Sequence, residues 1–149
     1  MDLILWRHAE AQEWTHGCDD MARRLTSRGE KQAKRMAGWL DRQLPENTRI
    51  LVSPTVRTEQ TANALGRKFK IRPELAPDST VAQLLELVQW SQGKGTVLVI
   101  GHQPTLGQTI AELIGLQASE FPVKKGAVWW LHKRQQETLV LTVQSPDLL

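Results

Sequence analysis

The chain has 149 residues, 40% of them hydrophobic and 23% charged, a length and balance expected of one domain that buries its own core. A formal net charge of +3 suits an anionic ligand, and a single cysteine, Cys18, excludes a disulfide framework and favours a reducing compartment. No apolar run reaches the ~20 residues of a membrane span, and the one at the N-terminus is too short for a secretory signal, so a cytoplasmic protein is expected.

Asp2 to Trp6 is a short apolar run that predicts the first strand. A long loop over 9–26 follows, holding Trp14, His16, Asp19 and Asp20. Loops of this length are often functional. Residues 27–44 read as a helix, with Ser27 and Glu30 as a capping-box pair and Ala33, Met36, Ala37, Leu40 and Leu44 on one face. Ile50 to Ser53 predicts a second buried strand. Ser53-Pro54 then offers an N-cap and a first-turn proline for a helix to about Lys68, with Ala62 and Leu65 inward. Arg67 and Lys68 would complement the dipole at its last turn, so the basic stretch they share with Lys70 and Arg72 implies neither a nucleic-acid nor a membrane partner.

A third strand is expected around Phe69 to Leu75, then a helix capped by Asp78 or Ser79 and carrying Leu84, Leu85, Leu87 and Val88. Val97 to Ile100 is a continuous apolar strand of the kind found in parallel sheets. Pro104 to Ile114 predicts a further helix stopped near Gly115. Ala127 to Leu131 and Thr138 to Val143 read as a final hairpin, with the indoles of Trp129 and Trp130 on opposite faces. The alternation predicts an α/β fold: a three-layer sandwich with a mostly parallel central sheet, an antiparallel edge and helices on both faces.

Three segments share one design. Arg7-His8 follows the first strand, Arg57 lies in the first turn after the second, and Gly101-His102 follows the fourth. Ligands of open α/β sheets bind beyond the carboxyl ends of the strands. Two arginines able to grip oxygens in a fork, beside two histidines, suit a phosphoryl group. Arg57 is expected to point into solvent at this pocket. Neighbouring arginines disfavour protonation of a histidine and leave it nucleophilic, provided its other ring nitrogen donates to a backbone carbonyl. The other histidine would be cationic and stabilise the equatorial oxygens. By side-chain chemistry alone either His8 or His102 fits the nucleophile. No chelating cluster is evident, so neither a metal nor another cofactor is expected.

Leu5-Trp6-Arg7-His8-Ala9-Glu10 resembles the R-H-G motif of the histidine phosphatase superfamily. Leu25 to Ala33 resembles its L-T-x-x-G-x-x-Q-A helix start, Ser53 to Ala62 its S-P-x-x-R-x-x-Q-T-A segment, and Gly101 to Pro104 its G-H-x-P. Order and spacing match the small phosphohistidine phosphatases over nearly the whole chain. The resemblance implies a single domain over 1–149, His8 as nucleophile, and Arg7, Arg57 and His102 as phosphate ligands. Ala9 stands where many relatives carry glycine, and a positive φ there would cost alanine about 1 kcal/mol. Larger relatives carry a carboxylate general acid on an inserted lid, for which no counterpart is assigned.

Only 44 residues separate Arg57 from His102, too few for a lid beside the elements expected there. An open, shallow pocket admits a phosphorylated side chain of another protein. An alkoxide needs an acid to leave, whereas imidazole can leave neutral after solvent protonates its far nitrogen. The expected substrate is therefore phosphohistidine on a partner protein. The alternatives are a small phosphomonoester at the same site and a non-catalytic phosphate-binding module. Glu10 and Asp78 are further candidates at the site, as acids or substrate contacts. Lys124 and Lys125 would rim the pocket or be solvated, His16 is read as a rim residue, and His132 as structural.

Overall fold

The computed structural model describes residues 1–117 and 121–149. The elements run β1 (Asp2–Arg7), α1 (Ser27–Gln43), β2 (Arg49–Val52), α2 (Val56–Asn63), β3 (Lys70–Ile71), α3 (Val81–Leu87), β4 (Thr96–Gly101), α4 (Thr105–Leu113), β5 (Val128–Arg134) and β6 (Glu137–Gln144). The strands form one sheet in the order β3-β2-β4-β1-β5-β6. The first four of that order are mutually parallel, and β5 and β6 add an antiparallel edge.

Alternation along the strands divides the core into two layers. Ile4, Trp6, Ile50, Val52, Leu98, Ile100 and Trp130 meet Met36, Ala37 and Leu40 of α1 and Ala62 of α2. Leu3, Leu5, Leu51, Val97, Val99 and Leu131 meet Leu84 of α3 and Leu106 and Ile110 of α4, with Trp129 packed alongside. Helices therefore cover both faces, as the sequence predicts. Each buried Leu, Ile, Val or Met among them contributes roughly 1.5–3 kcal/mol.

The helix starts differ from the expected ones. Thr26, not Ser27, caps α1, its hydroxyl accepting from the Gly29 amide at 2.9 Å. Thr55, not Ser53, caps α2, in a capping box with Thr58. Thr80 rather than Asp78 or Ser79 caps α3, with Gln83 reaching back to its amide. α2 also ends at Asn63, well before Lys68, and the chain reverses through Gly66 at φ +73°. Arg67 thus lies outside that helix and bonds instead to the terminal carbonyls of Asp41 and Leu44 on α1 and to the Asp41 carboxylate. β3 shrinks to two residues because Pro73, which has no N–H for a ladder, opens a 3-10 turn over Pro73–Leu75.

Two neighbouring strands leave the sheet for opposite faces. β1 is followed by α1 on one side, and β4 by α4 on the other. A crevice opens at such a point, beyond the carboxyl ends of the strands. Among the described residues no helix is long and apolar enough to cross a membrane.

Candidate active site

Backbone pairing fixes the crevice. Arg7 stands opposite Gly101 at the end of the β1–β4 ladder. The pairing continues one step further, where the His8 amide donates to the Gly101 carbonyl at 3.2 Å. The Ser53 amide donates to Ile100 on the other side of β4 at 3.1 Å. His8, His102 and Ser53 are thus held side by side by the sheet itself. The rings of His8 and His102 lie 5.3 Å apart, centroid to centroid, at 57°.

His8 is buried, and its Nδ1 lies 2.8 Å from the Ala9 carbonyl. A carbonyl only accepts, so Nδ1 carries the proton and Nε2 keeps its lone pair. Burial drives the His8 pKa from 6.5 down to about 3; the Ala9 bond opposes this, and the charges of Arg57, Arg7 and Arg23 add to it. Ala9 needs no left-handed backbone: it is not among the positive-φ residues, and its amide donates to Thr61 Oγ1 at 3.1 Å. Thr61 in turn donates to the Arg57 carbonyl, tying the His8 loop to the first turn of α2.

His102 Nε2 lies 2.7 Å from the buried hydroxyl of Ser53. Burial, then repulsion from His8, Arg57 and Arg7, lower its pKa to about 3 against an opposing pull from Asp20. The cationic partner expected from the sequence is therefore neutral in the ligand-free protein, because its site is too dry and too positive for a proton. A Ser53 hydroxyl that donates to Nε2 places the ring proton on Nδ1.

Arg7 spends Nη1 on the Val123 carbonyl at 2.8 Å. Arg57 is 3% exposed rather than solvent-facing, since Asp20 covers it: Nη1 donates to the Asp20 carbonyl at 2.7 Å and Nη2 to its carboxylate at 3.1 Å. The Nε atoms of both arginines are buried and have no partner among the described residues. Unpaired buried donors are rare and ask for an acceptor. A depression of about 260 Å³ opens here, lined by Arg7, His8, Arg23, Arg57, His102 and Lys125 among others.

The remaining candidates are placed differently. The Glu10 carboxylate accepts from the Thr26 hydroxyl at 2.9 Å and its amide donates to Gln32, so it is engaged with the start of α1. Asp78 is exposed beside Pro77, which lines the depression. Lys125 lines the depression as well, and Lys124 lines a neighbouring one shared with Arg7. His16 is exposed against Trp14, and His132 bonds to Asp2 at the far end of the sheet. Sequence reasoning missed Ser53, whose hydroxyl reads as a cap, and Arg23, which sits in an aperiodic loop. The S-P of the third motif was the available signal for Ser53. Among the described residues, no three His, Cys, Asp or Glu side chains gather in a group able to hold a metal.

A family profile described as histidine phosphatase superfamily (branch 1) matches residues 3–80. The chain is 35% identical over 121 residues to the phosphohistidine phosphatase SixA of Escherichia coli, covering 76% of this chain and 74% of that protein. It is 31% identical over 148 residues to a SixA homolog of Haemophilus influenzae, covering 87% and 88%. The fold superposes on the structure of the protein histidine phosphatase SixA complexed with tungstate with a TM-score of 0.85, at 29% identity over 99% of each chain.

Proposed function

Since this chain belongs to the histidine phosphatase superfamily, we propose that it hydrolyses phosphohistidine on a partner protein through a phosphoryl intermediate on His8. The observation that carries the reading is the His8 ring, neutral and fixed by Ala9, beside two guanidiniums with unpaired buried nitrogens.

In the first displacement the Nε2 lone pair attacks phosphorus while the bond to the leaving nitrogen breaks, and the departing imidazole takes its proton from solvent at its far nitrogen. In the second, water attacks the phosphohistidine and releases phosphate, returning Nε2 unprotonated. Arg7 and Arg57 hold the equatorial oxygens throughout, and His102, set by Ser53, donates to them. Charge stabilisation of this kind does most of the work in phosphoryl transfer, and cationic side chains can supply it without a metal.

The leaving group favours phosphoramidate over phosphoester. No carboxyl group lines the depression among the described residues. At Asp20, burial raises the carboxyl pKa, but the bonds and charges of Arg23 and Arg57 outweigh it and hold it below the usual carboxylate range. Such a group makes a poor acid at neutral pH. Relatives named for phosphohistidine support the same substrate class. Between Arg57 and His102 the chain supplies the rest of α2, β3, a turn, α3 and β4, and we read this as a single domain with no lid. An exposed Cys18 thiol suits a reducing compartment, and the cytoplasm is the one proposed.

A competitive panel with chelator present tests this, using a phosphohistidine protein, a sugar phosphate and an aryl phosphate. The phosphohistidine protein should show the highest kcat/KM. A clear advantage for the sugar phosphate would move the function to small phosphomonoesters. Phosphate binding with no turnover on any substrate would make the chain a binding module.

A further inference from the structure

Arg23 belongs to none of the quoted motifs, yet it lines the same depression as Arg7, His8, Arg57 and His102. A 3-10 turn over Asp20–Ala22, capped by the Asp19 carboxylate, delivers it there. Asp20 divides its carboxylate between two arginines: Oδ1 accepts from Arg23 Nε at 2.8 Å, and Oδ2 from Arg57 Nη2 at 3.1 Å. Arg23 spends Nη1 on the Gln12 carbonyl at 2.7 Å, while Nη2 has no bond among the described residues.

An exposed Arg–Asp pair three residues apart is ordinarily a weak staple of its loop. Two observations separate this one from that case. The shared carboxylate also holds Arg57, which is 3% exposed and stands in the phosphoryl site. The charge of Arg23 also reaches His8, where it opposes protonation. Arg7, Arg23 and Arg57 against the single carboxylate leave two positive charges uncompensated around His8, before the exposed Lys125 is counted. A phosphoryl group brings about −1.5 to −2 at neutral pH. Arg7 and Arg57 with Asp20 alone would leave one positive charge, short of that match.

We propose that Arg23 is a third phosphoryl-binding guanidinium of the cleft, and that Asp20 is the residue that positions it together with Arg57. The assignment rests on the phosphatase reading of the cleft. Arg23 supplies one further charge-assisted bond from Nη2, and Asp20 orients two forks without touching phosphate.

The test is inorganic phosphate binding by calorimetry, with kcat and KM measured on the same samples and folding checked by Tm. Arg23→Ala should raise the phosphate Kd about ten- to hundredfold, the worth of one charge-assisted bond. Arg23→Gln, which keeps the chain length, should do the same if the alanine variant folds poorly, and Arg23→Lys should recover part of the loss. Asp20→Asn should lower kcat more than it raises KM. The His8 ring should titrate at higher pH in Arg23→Gln, a change that a loop staple would not produce. A folded Arg23→Ala or Arg23→Gln protein with wild-type phosphate Kd overturns the proposal. So does a fall in Tm with Kd unchanged. A wild-type protein without turnover whose phosphate binding still depends on Arg23 would remove the phosphatase reading and leave the Arg23 assignment standing.

Discussion

At His8, burial and the charges of Arg57, Arg7 and Arg23 oppose a proton that the Ala9 carbonyl alone favours, and the ring stays neutral down to about pH 3. An unfolded histidine binds its proton near 6.5. Between 6.5 and about 3 the unfolded chain therefore holds protons that the folded chain does not, both here and at His102. Stability is full above 6.5 and falls as pH is lowered through that window. Thermal melts from pH 7 to pH 4 should show Tm dropping, less steeply in His8→Ala. In NMR at pH 5 the His8 ring should remain the neutral Nδ1–H tautomer, and a midpoint near 6.5 would contradict the buried geometry. Arg57→Ala should lower kcat/KM by about 10²–10⁴-fold, the scale of a lost transition-state contact. Because Arg57 is buried under Asp20, the variant should also lose about 1–3 kcal/mol of stability, readable in urea melts. Arg57→Lys should restore little, since an ammonium cannot reproduce the fork.

At the scale of elements, the motif residues that do not line the depression hold the His8 loop. A Cβ at Gly29 would lie 1.9 Å from the Glu10 carbonyl, so α1 can cross this loop only with glycine there. Gln32 accepts from the Glu10 amide, and Gln60 from the Leu25 amide. Gly29→Ala should therefore cost about 1–3 kcal/mol by overpacking and lower kcat by displacing His8, measured by urea melts and turnover together. The elements themselves were readable wherever burial writes a pattern: the apolar runs of β1 and β4, and the inward face of α1 from Ala33 to Leu40. Their ends were not. Threonine caps lie one residue away from the serine chosen at α1 and two away at α2, and local sequence does not say which hydroxyl will be taken. At α2 the reason is visible, because the Ser53 hydroxyl is committed to His102 across the sheet. That contact joins residues 49 positions apart and leaves no local signature.

For the whole molecule, strand order makes the site. β4 inserts between β1 and β2, so His8 and His102 become neighbours although β1 and β4 are far apart in the chain. The convergence of Arg7-His8, Arg57 and Gly101-His102 at one edge of the sheet was legible from their places after the strands, whereas the register that sets His8 directly beside His102 was not. The loop over 9–26 was equally opaque, and it brings Asp20 and Arg23 over Arg57. Among the described residues the crevice is lined by cations and two neutral imidazoles, with the Asp20 carboxylate bound behind them between Arg23 and Arg57, an environment that suits an anionic ligand. Its chemistry turns on which atom receives the phosphoryl group. A phosphoramidate survives alkali and breaks down in acid, unlike a phosphoserine. Labelled phosphohistidine protein should be mixed with the enzyme, quenched in base within the first turnover, and digested for peptide mapping. The label should fall on the peptide containing His8, be absent in His8→Ala along with turnover, and appear slowly in His102→Ala. Label on His102, or substantial turnover in His8→Ala, would contradict the account.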